Sequence, residues 1–320
     1  MKNETLSDLL ESKKCIKIIC GAGNENIEYI KKLVRIYMIA GARYFDLSPN
    51  AEVLNAVKSV FNELGTQGYT CISYGISGDP HTNKAGVDPN KCNACGKCIS
   101  ACIQDALSLN GVIQIKENKC VGCGECVKAC QYNALSVKSK VKPIHETLPD
   151  LIKIGIDSVE LHISSQDSEE SHLRWKEISA CYDGIMSVCI DRSNHSDIAL
   201  KEKLNALVLG RGKYTTIIQA DGMPMSGNND KASTTLQSIA IAQIVNRMNL
   251  PVYVLLSGGT NNHTTKYAKE FDIDFNGISL GSFARAAVKK YLIGDIWDEN
   301  AAVEAAKDVV ETSLKYMEQL

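Results

Sequence analysis

The chain has 320 residues, 44% of them hydrophobic, with a formal net charge of -2 and 13 cysteines. So even a charge balance gives no electrostatic case for nucleic acid, and no apolar run approaches the roughly 18 residues needed to cross a bilayer. The polar segment Met1 to Lys14 lacks the apolar core of a signal peptide, and a cysteine-rich chain without an export signal predicts a reducing, cytoplasmic setting.

In chain order, short apolar runs alternate with longer amphipathic stretches, the pattern of repeated βα units around a parallel sheet. The first strand is predicted over Cys15 to Cys20, with a helix over Ile27 to Ala40. A second strand at Tyr44 to Leu47 leads to a helix at Ala51 to Leu64, and a third strand covers Tyr69 to Tyr74. An insertion from about Pro80 to Val141 interrupts the next connection. A helix at Leu148 to Ile154 then leads to strand four, Ser158 to Ile163. Ser168 to Ser179 reads as helix and Gly184 to Ile190 as strand five. Asp197 to Leu207 is a helix and Thr215 to Gln219 is strand six. The periodic segment Thr234 to Met248 is the sixth helix, and Pro251 opens strand seven, Val252 to Leu256. A short helix over Thr264 to Phe271 precedes strand eight, Gly277 to Leu280, and helices complete the chain. Eight such units predict a (β/α)8 TIM-like barrel: a first part over residues 1–79, an inserted two-cluster, bacterial-ferredoxin-like α+β domain over 80–141, and a second part over 142–320.

The insertion carries two near-copies of one spacing, 28 positions apart: Cys92-x2-Cys95-x2-Cys98-x3-Cys102 and Cys120-x2-Cys123-x2-Cys126-x3-Cys130. A [4Fe-4S] cubane needs four converging thiolates. The tight x2-x2 loop supplies three, and in two-cluster ferredoxins the fourth crosses over from the other run. Cluster one is therefore assigned to Cys92, Cys95, Cys98 and Cys130, and cluster two to Cys120, Cys123, Cys126 and Cys102. Gly96/Gly124 and the Ala-Leu-Ser after each run repeat as well, so the segment is an internal duplication. Zinc in two all-cysteine sites is the alternative, but zinc ligands favour paired C-x2-C units. The usual proline after each fourth cysteine is replaced by Ile103 and Gln131. Lys91, Lys97, Lys116, Lys119, Lys128, Lys138 and Lys140 make the insertion basic, which offsets cluster charge or suits an acidic redox partner.

In β/α barrels a phosphate site is often built from the loops after strands seven and eight. Here these loops read Ser257-Gly258-Gly259-Thr260-Asn261 and Gly281-Ser282, which predicts a phosphate-bearing ligand. Polar residues ending strands face the shared mouth: Asp46, Tyr74, Glu160, His162, Asp191, Gln219 and Asp221. Glu160, His162 and Asp221 are the catalytic candidates, with Glu160 placed to orient the His162 imidazole. The long loop from Asp221 to Lys231 reads as a lid or ligand clamp. Cys15, Cys20, Cys71, Cys181 and Cys189 read as small buried hydrophobes, with Cys20 also a candidate redox thiol at the mouth.

Ile19-Cys20-Gly21-Ala22, Asp221-Gly222-x-Pro224-Met225-Ser226-Gly227, Leu256-Ser257-Gly258-Gly259-Thr260-Asn261 and Gly281-Ser282-x-Ala284-Arg285, around the double ferredoxin motif, resemble the light-dependent period family of cyanobacteria. The resemblance runs from about residue 15 to 290. It implies an iron-sulfur protein of redox sensing or electron transfer that adjusts clock input, with a redox partner protein or a small electron donor or acceptor such as a quinone, and it implies no established catalytic residues. The barrel is also similar to flavin-dependent barrels of the dihydroorotate dehydrogenase type. That similarity implies the alternative of an oxidoreductase whose clusters relay electrons to FMN, with Lys17 or Gln219 near the isoalloxazine.

Overall fold

The computed structural model describes residues 4–21, 23–163, 168–192, 196–222, 231–292 and 297–317. The chain opens with α1 (Leu6–Glu11), whose start is fixed by a capping box. Thr5 Oγ1 accepts the Asp8 N–H at 3.2 Å, and the Asp8 carboxylate accepts the Thr5 N–H at 2.7 Å. Next come β1 (Cys15–Ile19), α2 (Ile27–Ile39), β2 (Tyr44–Leu47), α3 (Ala51–Leu64) and β3 (Tyr69–Gly75). Asn26 and Asn50 side chains cap α2 and α3 by accepting backbone N–H groups of the first turn.

The chain then leaves the barrel for β4 (Asn83–Val87), α4 (Lys97–Ser100), β5 (Leu107–Asn110), β6 (Val112–Ile115), α5 (Glu125–Lys128) and β7 (Leu135–Ser139). β4 pairs antiparallel with β7, so the inserted segment leaves and returns at one place, and β5 and β6 form a hairpin. A separate small core of Ala85, Cys98, Ala106, Leu107, Ile113, Cys120, Cys126 and Leu135 holds this unit.

The barrel resumes with α6 (Ile144–Ile154), β8 (Ser158–Ile163), α7 (Ser168–Cys181), β9 (Ile185–Ile190), α8 (Asp197–Val208) and β10 (Thr216–Asp221). It is completed by α9 (Lys231–Arg247), β11 (Tyr253–Ser257), α10 (Thr264–Glu270), β12 (Gly277–Leu280), α11 (Ser282–Leu292) and α12 (Glu299–Met317). The parallel strands close in the order β1-β12-β11-β10-β9-β8-β3-β2. The expected eight-stranded barrel with a ferredoxin-like insertion is thus the observed fold.

Alternation along each strand sorts side chains between two cores. Ile16, Ile18, Phe45, Ile72, Val159, Leu161, Val188, Ile218 and Leu256 point outward into the main core beneath the helices. The inward set at the N-terminal end is Cys15, Tyr44, Tyr69, Cys71, Ile217, Tyr253 and Leu255, closed from below by Leu6, Leu9 and Leu10 of α1. This plug went unpredicted because the segment was read only as polar and charged, without a helix. Among the described residues, no helix is long and apolar enough to cross a membrane.

Candidate metal centres and the barrel mouth

Two cavities lie in the inserted unit. One is lined by Cys92, Cys95, Cys98 and Cys130, the other by Cys102, Cys120, Cys123 and Cys126. Each gathers three cysteines of one run and the last cysteine of the other. The backbone repeats with the sequence: Ala94 and Gly122 have φ 61° and 67°, Gly96 and Gly124 have 76° and 79°, and Asp105 and Asn133 both have 48°. The Ala106 N–H donates to Cys102 Sγ and the Ala134 N–H to Cys130 Sγ, both at 3.4 Å. The Ala85 N–H donates to Cys120 Sγ at 3.3 Å.

These surroundings fit an iron-sulfur cluster. Burial, reinforced by Cys120, Cys123, Cys102 and Cys98, pushes the Cys126 thiol up to about 11. That penalty comes partly from crowding thiolates, and it is relieved when cationic iron sits among them. Where the usual proline is missing, Gln131 accepts a hydrogen bond from Lys97 Nζ at 2.8 Å, and Ile103 is exposed.

The unit is fastened to the barrel beside its mouth. Lys84 Nζ donates to the carbonyls of Gly23 and Cys120, each at 2.6 Å, and to Glu117 at 2.9 Å. The Glu25 N–H donates to Asn118 O at 2.9 Å, and Lys142 pairs with Glu25.

Inside the barrel, the middle layer is a closed polar network. Lys17 is fully buried and bridges Asp46, at 2.8 Å, and Glu160. Burial opposes its charge, but Asp46, Cys71 and Glu160 more than offset this and hold the ammonium well above the ordinary lysine range. Burial in turn raises Asp46 above the usual carboxylate range, against the pull of Lys17. Gln219 donates to Glu160 and to Ser187 Oγ, and accepts from Ser279 Oγ at 2.6 Å. Lys17 therefore points into the barrel.

One layer higher, His162 joins Asp221, which the sequence singled out, and Asp79 and His81, which it did not. Its Nδ1 lies 3.0 Å from Asp79 Oδ2 and its Nε2 lies 3.3 Å from Asp221 Oδ2, while the His81 ring meets it edge-on at 4.6 Å. Burial disfavours an imidazolium here, but Cys189, Asp79 and Asp221 outweigh it and raise His162 well above the ordinary histidine range. Glu160 does face the same way, yet it serves Lys17, and the imidazole is oriented by the two aspartates. Asp79 and His81 were passed over because they sit where the insertion begins; their signal was an acid and a histidine in the short segment that follows a barrel strand. Asp191 lies just past β9, half-buried.

Other expectations fail by strand parity. Tyr74 points outward, its hydroxyl 2.8 Å from Thr147 Oγ1 on α6, because Cys71 and Ser73 hold the inward positions of β3. Cys20 is buried outside the barrel, and burial raises its thiol further, so it offers no redox thiol to the mouth. Cys15 and Cys71 are pushed up to about 12 by burial. Cys181, at the end of α7, is exposed rather than buried.

At the two glycine loops, Ser257 and Thr260 are buried and tied to the scaffold: Ser257 N–H donates to Ser238 Oγ, and Thr260 Oγ1 donates to Ser279 O at 2.5 Å. Asn261 Nδ2 reaches Thr235 Oγ1 at 2.9 Å and Gly259 O at 3.0 Å. Gly258 has φ 59°, and a Cβ there would meet Asp221 Oδ1 at 1.9 Å, so a carboxylate already lies against this loop. Gly281 and Ser282 adjoin Arg285, whose Nη1 donates to Ile19 O at 2.8 Å. Of the expected clamp from Asp221 to Lys231, residues 223–230 lie outside the described residues.

Comparison with known proteins accords with both halves of this architecture. The family described as Light dependent period A C-terminal domain matches residues 150–320, and the 4Fe-4S binding domain matches residues 85–108 and 113–136. A family described as a protein of unknown function, DUF561, matches residues 1–65. Light dependent period A of Synechococcus elongatus is 26% identical over 96% of this chain and 90% of its own length. Among solved structures, tryptophan synthase from M. tuberculosis aligns over 96% of both chains at a TM-score of 0.51 and 9% identity, which concerns the barrel fold alone. With a match that spans more than half of its length and two 4Fe-4S binding motifs set into the barrel, the chain belongs to the Light dependent period A family.

Proposed function

We propose that this protein is a two-cluster iron-sulfur protein that senses redox state or carries electrons, with Cys92, Cys95, Cys98 and Cys130 holding one [4Fe-4S] cluster and Cys120, Cys123, Cys126 and Cys102 the other. The observation that carries the reading is the grouping of eight cysteines around two cavities, each completed by a cysteine of the opposite run. The clusters supply one-electron chemistry when bound. The chain contributes thiolates, the N–H donors of Ala85, Ala106 and Ala134 that tune the sulfurs, and Lys84 as the tie to the barrel mouth. The name of the Synechococcus relative links it to light-dependent period, and a redox signal passed to a partner protein or a small electron donor or acceptor is the function we carry to this chain.

The flavoenzyme alternative is less well supported. Lys17 and Gln219, which would meet the isoalloxazine of FMN, are committed to Asp46, Glu160, Ser187 and Ser279. A phosphate-bearing ligand is better served by Gly281 and Ser282 beside Arg285 than by Gly258, against which Asp221 already lies.

Anaerobic purification with an iron assay tests the reading, and mass spectrometry of any released small molecule tests the ligand. About eight iron atoms per chain are expected. Cys98→Ala should lose roughly half of them and Cys15→Ala none. Equal loss in both variants would overturn the ligand scheme, and stoichiometric FMN would favour the oxidoreductase.

A further inference from the structure

Above the Lys17 network, the mouth holds donors that the iron-sulfur reading does not use. β8 and β9 pair so that His162 lies directly beside Cys189, and Asp221 ends the next strand, β10. One nitrogen of His162, the Cys189 sulfur and a carboxylate oxygen of Asp221 lie within 4.8 Å of one another. All three residues come from adjacent strands of the rigid barrel wall, the kind of support a metal site needs.

The two sides of the imidazole are unequal. Nδ1 meets Asp79 Oδ2 at 3.0 Å, an ordinary hydrogen bond. Asp79 is fully buried and is itself held by the His81 N–H at 2.8 Å. Nε2 lies 3.3 Å from Asp221 Oδ2, long for an N–H···O bond. That separation matches the edge, about 3.3 Å, of a tetrahedron built on zinc bonds of about 2.0–2.1 Å. A carboxylate on one ring nitrogen with the other turned toward further donors is the usual surrounding of a metal-bound histidine. Asp79, His81 and His162 also approach one another, but that grouping would use Nδ1, which already bonds Asp79. One nitrogen, one sulfur and one oxygen suit a borderline-soft cation far better than calcium or magnesium. The His162 and Asp221 side chains are 15% and 17% exposed, which leaves solvent access for a fourth ligand.

We propose that His162, Cys189 and Asp221 bind one zinc ion at the barrel mouth, with Asp79 as a positioning residue that holds His162 in the tautomer that ligates through Nε2. The site is independent of the clusters and lies on the side of the barrel where the inserted unit is attached.

The test uses the whole protein with its clusters intact, equilibrated anaerobically with zinc and then dialysed into metal-free buffer. Elemental analysis should find about one zinc per chain beyond the iron, and zinc X-ray absorption should show one sulfur at about 2.3 Å with nitrogen and oxygen at about 2.0–2.1 Å. Cys189→Ser and His162→Gln should each lose the zinc while keeping the iron, and Asp221→Asn gives the same readout should either variant fail to fold. Asp79→Asn should weaken zinc about 10–100-fold in chelator competition with the ligand shell unchanged. No retained zinc, zinc bound by four sulfurs, or zinc retained unchanged by Cys189→Ser would overturn the proposal.

Discussion

Lys17 holds the barrel interior together through charge. Its ammonium is the cation shared by Asp46 and Glu160 in a fully buried layer. Replacing it by a methionine of similar length would leave two buried carboxylates facing each other, and removing one partner of such a pair costs about 3–5 kcal/mol. Denaturant unfolding of Lys17→Met should show a loss of that order, and a loss below about 1 kcal/mol would mean that the carboxylates do not depend on this cation. Gly258 is a second residue whose role can be isolated. Both Gly258 and Gly210 have positive φ, 59° and 80°, but of the two only Gly258 faces neighbours, the Asp221 carboxylate and the Gly222 backbone nitrogen. Alanine at either position meets backbone strain of roughly 1–2 kcal/mol. Gly258→Ala should therefore melt clearly below Gly210→Ala, and equal melting would show that both the Asp221 carboxylate and the Gly222 backbone give way at no cost. The sequence showed that polar residues end the strands, but not which way each side chain turns. Tyr74 was misjudged because parity is set by the register of the closed barrel, and a one-residue change of phase exchanges mouth and helix layer.

At the scale of elements, the duplicated cysteine loops show what is shared and what is specific. Ala94 and Gly122 occupy equivalent positions with nearly the same positive φ, so the conformation itself admits a Cβ. Gly122 differs in what surrounds it, because a Cβ there would meet the carbonyl oxygen of Asn83 at 2.3 Å. The glycine lets the second loop sit against the start of β4. Gly122→Ala should reduce the iron held by Cys120, Cys123, Cys126 and Cys102, to about half of the wild-type total, while Ala94→Gly should not. Equal iron in both variants would show that the second loop needs no such close contact. The strands and most helices were legible from apolar periodicity, as at Tyr44–Leu47, Ala51–Leu64 and Ser158–Ile163, where prediction and structure coincide. Two elements were obscured by local chemistry. A helix was expected only from Leu148, although α6 begins at Ile144 and carries Pro149 inside. The six residues of α1 were hidden in a charged segment, although Thr5 and Asp8 form its cap and Leu6, Leu9 and Leu10 its buried face.

For the whole molecule, the position of the insertion matters most. The chain departs after β3, passes Asp79 and His81 beside His162, and builds the cysteine cavities in a unit tied back to the β1–α2 loop by Lys84 and Glu25. The cysteine spacing carried nearly all of the cluster reading, because four thiolates on one cubane tolerate few arrangements. The mouth was less legible, since its groups come from strands far apart in sequence and each alone is an unremarkable polar residue. If the two clusters share crossed fourth ligands, paired cysteine substitutions separate them by iron content and by the spectrum of the dithionite-reduced protein. With crossing, Cys102→Ala combined with Cys120→Ala removes two ligands of one cluster and should leave about four iron atoms, whereas Cys92→Ala combined with Cys102→Ala should lose both clusters. The reverse pattern, with the second pair keeping about four iron atoms and the first keeping none, would mean that each run of four cysteines holds its own cluster without crossing.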